Sequence, residues 1–151
     1  MQTGIRTILL PLMCLSIFIV SFKGTYIDDQ DPWKAPAWTD TLANPYLIEP
    51  LTLPQGQEIY TLYCASCHGI QGDGKGTAAA GLNVKPADFK AEKIKNQSDG
   101  SLFWKIREGR GEMPSFKETL SEEQEWQMVE YIRDISKPFD QQSNPFKSAK
   151  Y

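Results

Sequence analysis

An all-α domain is predicted for the central part of this 151-residue sequence. Three segments place apolar residues at the three- and four-residue spacing of a helix face, and the last two begin with residues that can cap a helix. No segment alternates apolar and polar residues as a half-buried strand does. Since one domain usually takes about 100 to 150 residues, a single core is expected.

Local signals bound the three predicted helices. The first runs from Gln55 to Ala65, and the second begins after Ser98, whose hydroxyl can cap it, and ends at Gly109. Ser121 and Gln124 form a capping box at the start of the third. The third helix is expected to bury the large side chains of one face: Trp126, Met128, Val129, Tyr131, Ile132 and Ile135.

Residues 1–24 are predicted to be a signal peptide or an N-terminal membrane anchor. The run Ile8–Phe22 is apolar and lies between Arg6 and Lys23. At about 1.5 Å per residue it spans roughly 22 Å, short of a hydrocarbon core of about 30 Å, yet no A-x-A-like cleavage site follows it. Both fates stay open, and either one predicts that the rest of the chain is exported.

A linker is predicted over residues 25–53, which are rich in proline and keep no helical or strand period. Trp33 and Trp38 make it too apolar to be fully solvated, so part of it is expected to lie against the domain or against a partner. The compact domain is assigned to residues 54–137, and residues 138–151 form a polar tail.

Composition excludes some classes of function. The net charge of −3 offers no basic surface for phosphate backbones, so nucleic acid is not an expected partner. The three cysteines do not make a disulfide framework, because Cys14 lies in the apolar run while Cys64 and Cys67 stand together. The close pair therefore calls for another explanation.

The pair belongs to a Cys-Ala-Ser-Cys-His motif at residues 64–68. At this spacing two thiols add to the two vinyl groups of a haem, and the next residue lies below the iron. Residues three and four positions apart share one side of a helix, so all three side chains can face one porphyrin. The motif predicts one covalent haem c, with Cys64 and Cys67 as thioether attachments and His68 as the proximal iron ligand.

Two other uses of the cysteine pair fit the sequence less well. A structural zinc site needs four Cys or His ligands, and outside the motif only Cys14 remains. A thiol-disulfide oxidoreductase usually places its first cysteine at the start of a helix in a βαβ unit. Here Cys64 lies at the end of a predicted helix in an all-helical pattern, which leaves this activity, through Cys64 and Cys67, as a remote alternative.

The second axial ligand has to come from another residue type, since His68 is the only histidine. A methionine, a lysine or an open position remain. Met113 is the best candidate, because it lies in Gly109–Pro114, where glycines let the backbone bend and proline restricts the turn. Met128 has core spacing on the last helix, and the other two methionines lie in or before the export segment.

The domain over residues 54–137 resembles a class I monohaem cytochrome c of bacterial respiratory and dehydrogenase chains. The resemblance rests on four features: the Cys-x-x-Cys-His motif after a first helix, the loop Gly72–Gly76, the pair Met113-Pro114, and the final helix segment Trp126–Ile132. Two further stretches, Leu102–Gly109 and Trp33–Pro45, resemble membrane-associated c-type cytochromes of the Bacteroidetes group.

The resemblance implies the class I cytochrome c fold, with three to five helices around the haem. It implies that Gly56 and Tyr60 cross the last helix near Tyr131. The family's Gly-Pro after the glycine loop is Gly-Thr here, so a carbonyl other than that of proline must accept a hydrogen bond from His68, and Thr77 can offer its own.

A domain this small is expected to use the haem as part of its core. The expected wall residues are Leu82, Phe89, Phe103, Ile106 and Phe116. The candidates for hydrogen bonds to the propionates are Trp104, Arg107 and Arg110.

The expected function is one-electron transfer by a His/Met-ligated haem, without enzyme activity, since no acid–base constellation accompanies the motif. The resemblance implies that the protein is located on the periplasmic side of a bacterial inner membrane. Residues 5–22 would anchor it there, or the protein would be released to the periplasm if they are cleaved. Its partners would be redox proteins or a membrane redox complex. A haem subunit fixed in a larger redox complex is the alternative, because it shares the same site chemistry.

Overall fold

The computed structural model describes residues 33–46 and 52–143. It contains five helices within these ranges: α1 (Thr52–Tyr63), α2 (Ala65–His68), α3 (Glu92–Lys95), α4 (Asp99–Glu108) and α5 (Glu122–Ile135). Short 3₁₀ turns lie at Ala37–Thr41, Ala79–Gly81 and Phe139–Gln141. The described ranges contain no strand beyond an isolated bridge between Arg110 and Met113, which confirms the all-α prediction.

Three predicted segments fall wholly or partly outside the described residues: the signal or anchor at residues 1–24, the linker residues 25–32 and 47–51, and the tail beyond Ser143. Within the part of the chain that is described, none of the helices has the length and apolar character needed to cross a bilayer.

The first helix ends earlier than predicted. Helix α1 stops at Tyr63, and Cys64, with φ at −114° and ψ at −36°, separates it from α2. The carbonyl of Cys64 then accepts hydrogen bonds from the amides of Cys67 at 3.2 Å and His68 at 2.9 Å. The Cys-Ala-Ser-Cys-His motif thus forms a helical turn of its own instead of the last turn of α1.

Both later helices begin as their capping residues predict. The Ser98 hydroxyl accepts a hydrogen bond from the Ser101 amide at 3.1 Å, and Gly109 ends α4 with a φ of 65°. At α5 both halves of the capping box are present, from the Gln124 amide to the Ser121 hydroxyl at 3.2 Å and from the Ser121 amide to the Gln124 side chain at 2.9 Å.

The core is built on the crossing of α1 and α5, and the crossing implied by the resemblance is confirmed. A β-carbon at Gly56 would lie only 2.3 Å from the Gln127 carbonyl oxygen and 2.9 Å from Tyr131 Cβ, so the two backbones meet at this glycine. One helical turn later the ring of Tyr60, which is fully buried, lies 5.1 Å from that of Tyr131.

Helix α4 packs against α5 through aromatic side chains. The rings of Phe103 and Trp126 stack with centroids 4.4 Å apart. All the α5 side chains predicted to face the core are buried, and Met128 is only 1% exposed. The assignment of Met128 to packing is therefore confirmed.

Residues 33–46, which the sequence assigned to the linker, pack against α4, and the compact unit begins at Trp33. Trp33 meets Trp104 edge to face, with centroids 6.4 Å apart. Thr39 is fully buried, and its hydroxyl lies 3.1 Å from that of Ser101. The expectation that part of this segment lies against the domain is met by these residues.

Candidate haem site

The two cysteines of the motif are half-buried and are not joined by a disulfide. Burial, with a smaller effect of the charge on Cys67, raises the pKa of the Cys64 thiol to about 12. A thiol with so high a pKa carries little thiolate near neutral pH, and disulfide exchange requires the thiolate. Cys64 is therefore a poor attacking thiol for disulfide exchange, and its burial is compatible with a thiol consumed in a thioether.

His68 has one ring nitrogen fixed by the protein backbone. Its Nδ1 donates a hydrogen bond to the Ala87 carbonyl oxygen at 3.2 Å, which leaves Nε2 for a metal. Burial lowers the pKa of His68, which favours the neutral imidazole that ligates metals. The ring also stacks on Phe89, with centroids 4.7 Å apart and planes 16° from parallel. The side chain is thus oriented from two directions.

The structure identifies the carbonyl that holds His68. Thr77 was one residue able to offer a carbonyl, whereas His68 bonds to that of Ala87, ten residues further along the chain. Gly74 makes this possible, because a β-carbon there would lie 2.6 Å from the Pro86 carbonyl oxygen. The segment that carries Pro86 and Ala87 therefore approaches the motif over a glycine, at a distance that no other residue would permit.

Tyr60 supports the motif from beneath, and the sequence did not single out this contact. Its hydroxyl donates to the Gly69 carbonyl oxygen at 2.6 Å, directly after His68. Burial raises the pKa of Tyr60, so the hydroxyl keeps its proton and remains a donor. The sequence signal for this contact was the Tyr60 hydroxyl itself, because a polar group on the buried face of α1 needs a hydrogen-bond partner.

Met113 lies in the tight turn that the glycines predicted. Its amide and carbonyl pair with those of Arg110 at 3.1 and 2.9 Å, and Gly109 and Gly111 have φ values of 65° and 59°. The Ser115 hydroxyl donates to the Arg107 carbonyl at 2.6 Å, which ties the end of the loop to α4. Met113 is half-buried against the hydrophobic core. Its ligation of iron remains a prediction.

The predicted wall residues are largely core residues. Phe89, Phe103, Ile106 and Phe116 are buried in one hydrophobic cluster, and Leu82 is half-buried. Their contact with a haem remains a prediction.

The candidates for propionate contacts interact with other parts of the protein. Trp104 faces Trp33, and Arg107 Nη1 lies 2.6 Å from Oε2 of Glu125. Glu125 is fully buried, its Oε1 has no hydrogen-bond partner in the described structure, and burial raises its pKa against the opposing effect of Arg107. The guanidinium of Arg107 is thus bound by a buried carboxylate of α5.

The donor set of the motif and its surroundings suits a haem c. Two reduced thiols three residues apart, a neutral imidazole oriented by a carbonyl, and a thioether on an anchored loop match the groups that hold such a haem. A zinc site fits less well, because the described residues contain no group of three or more Cys, His, Asp or Glu side chains able to hold a metal ion.

Comparisons with known proteins point to the same class. Residues 52–132, more than half of the chain, match the family described as "Cytochrome C oxidase, cbb3-type, subunit III". A chain of the Kuenenia stuttgartiensis reducing HAO-like protein complex Kustc0457/Kustc0458 is 28% identical, with a TM-score of 0.55 over 65% of this chain and 49% of that one. The present chain thus spans about half the length of that relative.

Two shorter proteins are covered almost completely. The KustC0563 c-type cytochrome is 30% identical over 54% of this chain and 98% of its own, with a TM-score of 0.47. Cytochrome c6 from the diatom Phaeodactylum tricornutum is 19% identical over 56% of this chain and 93% of its own, with a TM-score of 0.45. Because the family model covers more than half of the chain, the chain belongs to the c-type cytochrome family described as cytochrome c oxidase, cbb3-type, subunit III, whose members carry covalently bound haem c in a class I cytochrome c fold.

Proposed function

We propose that this protein transfers single electrons through one haem c that is attached at Cys64 and Cys67 and ligated by His68 and Met113. The observation that carries the proposal is the state of His68, which directly follows two reduced thiols and has Nδ1 bonded to the Ala87 carbonyl. A neutral imidazole held in this way is preorganised to ligate a metal, because its Nε2 points in a fixed direction.

The residues around the site favour a carrier over an enzyme. When bound, the haem supplies an iron that changes oxidation state by one electron. As an iron ligand, the soft thioether of Met113 would favour the ferrous form and raise the reduction potential. With His68 and Met113 both as ligands, oxygen and peroxide would find no open position.

Loss of both thiols should abolish covalent haem attachment. In a host that attaches haem c, the unmodified protein is expected to keep its haem after denaturation and to gain the mass of one haem. The double variant Cys64→Ala/Cys67→Ala should gain none, because thioethers can form only at these sulfurs. Ser66→Ala, which changes the exposed residue between them, is the control and should stay loaded. An unmodified protein that emerges without added mass would refute the attachment.

We also propose that the protein is exported and stays at the periplasmic face of the inner membrane through residues 5–22. Because the packed unit begins at Trp33, only Lys23–Pro32 separate it from the apolar run. Ten residues reach at most about 35 Å when fully extended. Such a short tether favours a membrane-bound redox partner or a fixed place in a complex over wide diffusion. The Kuenenia relative, which is named as part of a protein complex, supports the second possibility.

Cell fractionation tests the location. The haem-loaded protein is expected in the membrane fraction, to resist extraction at high salt, and to retain residues 5–22 in its intact mass. Release by mild osmotic shock, with a mature chain that begins beyond Phe22, would show instead a cleaved signal peptide and a periplasmic carrier.

A further inference from the structure

We propose that Glu112 is a positioning residue, which holds the Met113 loop by binding it to the segment that also orients His68. This inference rests on the proposed ligation of iron by His68 and Met113. It concerns a carboxylate that the sequence analysis did not single out.

The contact itself is a carboxylate bound by consecutive amides. Glu112 accepts four hydrogen bonds from the neighbouring segment, three from Asn83 and one from Val84. The Asn83 amide lies 2.9 Å from Oε2 and 3.2 Å from Oε1, and the Val84 amide lies 3.1 Å from Oε2. The Asn83 side-chain amide adds a bond to Oε1 at 3.2 Å. Two adjacent backbone amides directed at one anion form a concave binding site for negative charge.

The segment that binds Glu112 is the one that holds His68. Three residues after Val84, the Ala87 carbonyl accepts the bond from His68 Nδ1 at 3.2 Å. Pro86 lies between these contacts and restricts the backbone. Residues 83 and 84 therefore bind Glu112, which directly precedes the predicted ligand Met113. Residue 87, at the other end of the same segment, orients the predicted ligand His68.

The Met113 loop needs a contact at its tip. Its two ends are anchored, by the pairing of Arg110 with Met113 and by the bond from Ser115 to α4. Between them Gly111 has a φ of 59°, and a β-carbon there would meet nothing within 4 Å. Because glycine leaves the backbone free to bend, the contacts of the Glu112 side chain with Asn83 and Val84 restrain this part of the loop.

The test replaces Glu112 in the full-length, haem-loaded protein. Glu112→Ala removes every acceptor, whereas Glu112→Gln keeps one oxygen at the same reach. Glu118→Ala changes another exposed carboxylate, four residues after the Met113-Pro114 pair, and is the matched control. Three readouts are needed: amide hydrogen exchange at Asn83 and Val84, the long-wavelength sulfur-to-iron absorption band of the oxidised protein, and carbon monoxide binding to the reduced protein.

In Glu112→Ala we expect faster exchange at both amides and a rise on the order of tenfold in the population that binds carbon monoxide, as the loss of hydrogen bonds to a solvent-exposed charge implies. The sulfur-to-iron absorption band of Glu112→Ala should weaken. In all three readouts Glu112→Gln should lie between Glu112→Ala and the unmodified protein, and Glu118→Ala should match the unmodified protein. Unchanged amide exchange in Glu112→Ala would overturn the contact, and faster exchange with unchanged ligation would overturn the positioning role.

Amide exchange keeps this proposal separate from the proposed function. If the unmodified protein shows no sulfur-to-iron band, the ligation by Met113 fails, and the positioning role fails with it. Exchange at Asn83 and Val84 then still reports whether Glu112 joins the two segments. If the unmodified protein shows a normal sulfur-to-iron band, and Glu112→Ala has the same band and the same carbon monoxide binding, the positioning role alone would be overturned.

Discussion

Replacing Met113 with Ala is expected to leave the haem attached while opening the sixth coordination position. The thioethers at Cys64 and Cys67 are untouched by this change, whereas the thioether that favours ferrous iron is lost. The reduction potential should fall, and the reduced protein should bind carbon monoxide readily where the unmodified protein does not. A potentiometric titration and a carbon monoxide difference spectrum measure the two effects.

Met128→Ala is the matched control for that experiment. Met128 is 1% exposed in the core, so its truncation should cost about 2 to 5 kcal/mol of unfolding free energy and leave the ligation unchanged. The carrier assignment loses its main support if the unmodified ferrous protein already binds carbon monoxide, or if Met113→Ala alters neither spectrum nor potential. A sensor or an enzyme would then be the better interpretation.

Gly56→Ala is expected to destabilise the domain by about 3 kcal/mol or more, because it overpacks the crossing of α1 and α5. The added β-carbon would lie 2.3 Å from the Gln127 carbonyl oxygen and 2.9 Å from Tyr131 Cβ. Since the nearest atom is backbone, α1 and α5 must move apart to admit it. Chemical denaturation of the haem-loaded protein, followed by far-ultraviolet circular dichroism, measures the loss.

Gly81→Ala separates this crowding from the general effect of adding a methyl group. A β-carbon at Gly81 would meet nothing within 4 Å, and the residue ends an exposed 3₁₀ turn. Its unfolding free energy should change by no more than about 0.5 kcal/mol. Equal stabilities for the two variants would mean that α1 and α5 do not approach as closely as Gly56 indicates.

The helices could be predicted where their signals are local. The Ser98 cap of α4 and the capping box of Ser121 and Gln124 involve residues three positions apart, so the sequence shows both partners together. The interruption at Cys64 could not be read in this way. It depends on how the motif turns away from α1, with the Tyr60 hydroxyl bound to Gly69 below it.

The placement of residues 33–46 shows the same division. Their tryptophans indicated that the segment was not fully solvated, but composition does not name the surface that covers it. Thr39 finds its partner in Ser101, and Trp33 in Trp104, across more than sixty positions. Such contacts depend on which surfaces the helices leave open once they have packed, and that arrangement is set by the whole core.

The sequence by itself determined the chemistry of the site, because the spacing of Cys64, Cys67 and His68 is a local property of one helical turn and a single histidine limits the remaining ligands. Only the tertiary structure decided which groups hold those residues in place. The Ala87 carbonyl on His68 and the Glu112 carboxylate on Asn83 are contacts between segments 19 and 29 positions apart. Backbone carbonyls and exposed carboxylates occur throughout the chain, so their partners are selected by proximity after folding and leave no pattern that the sequence alone would show.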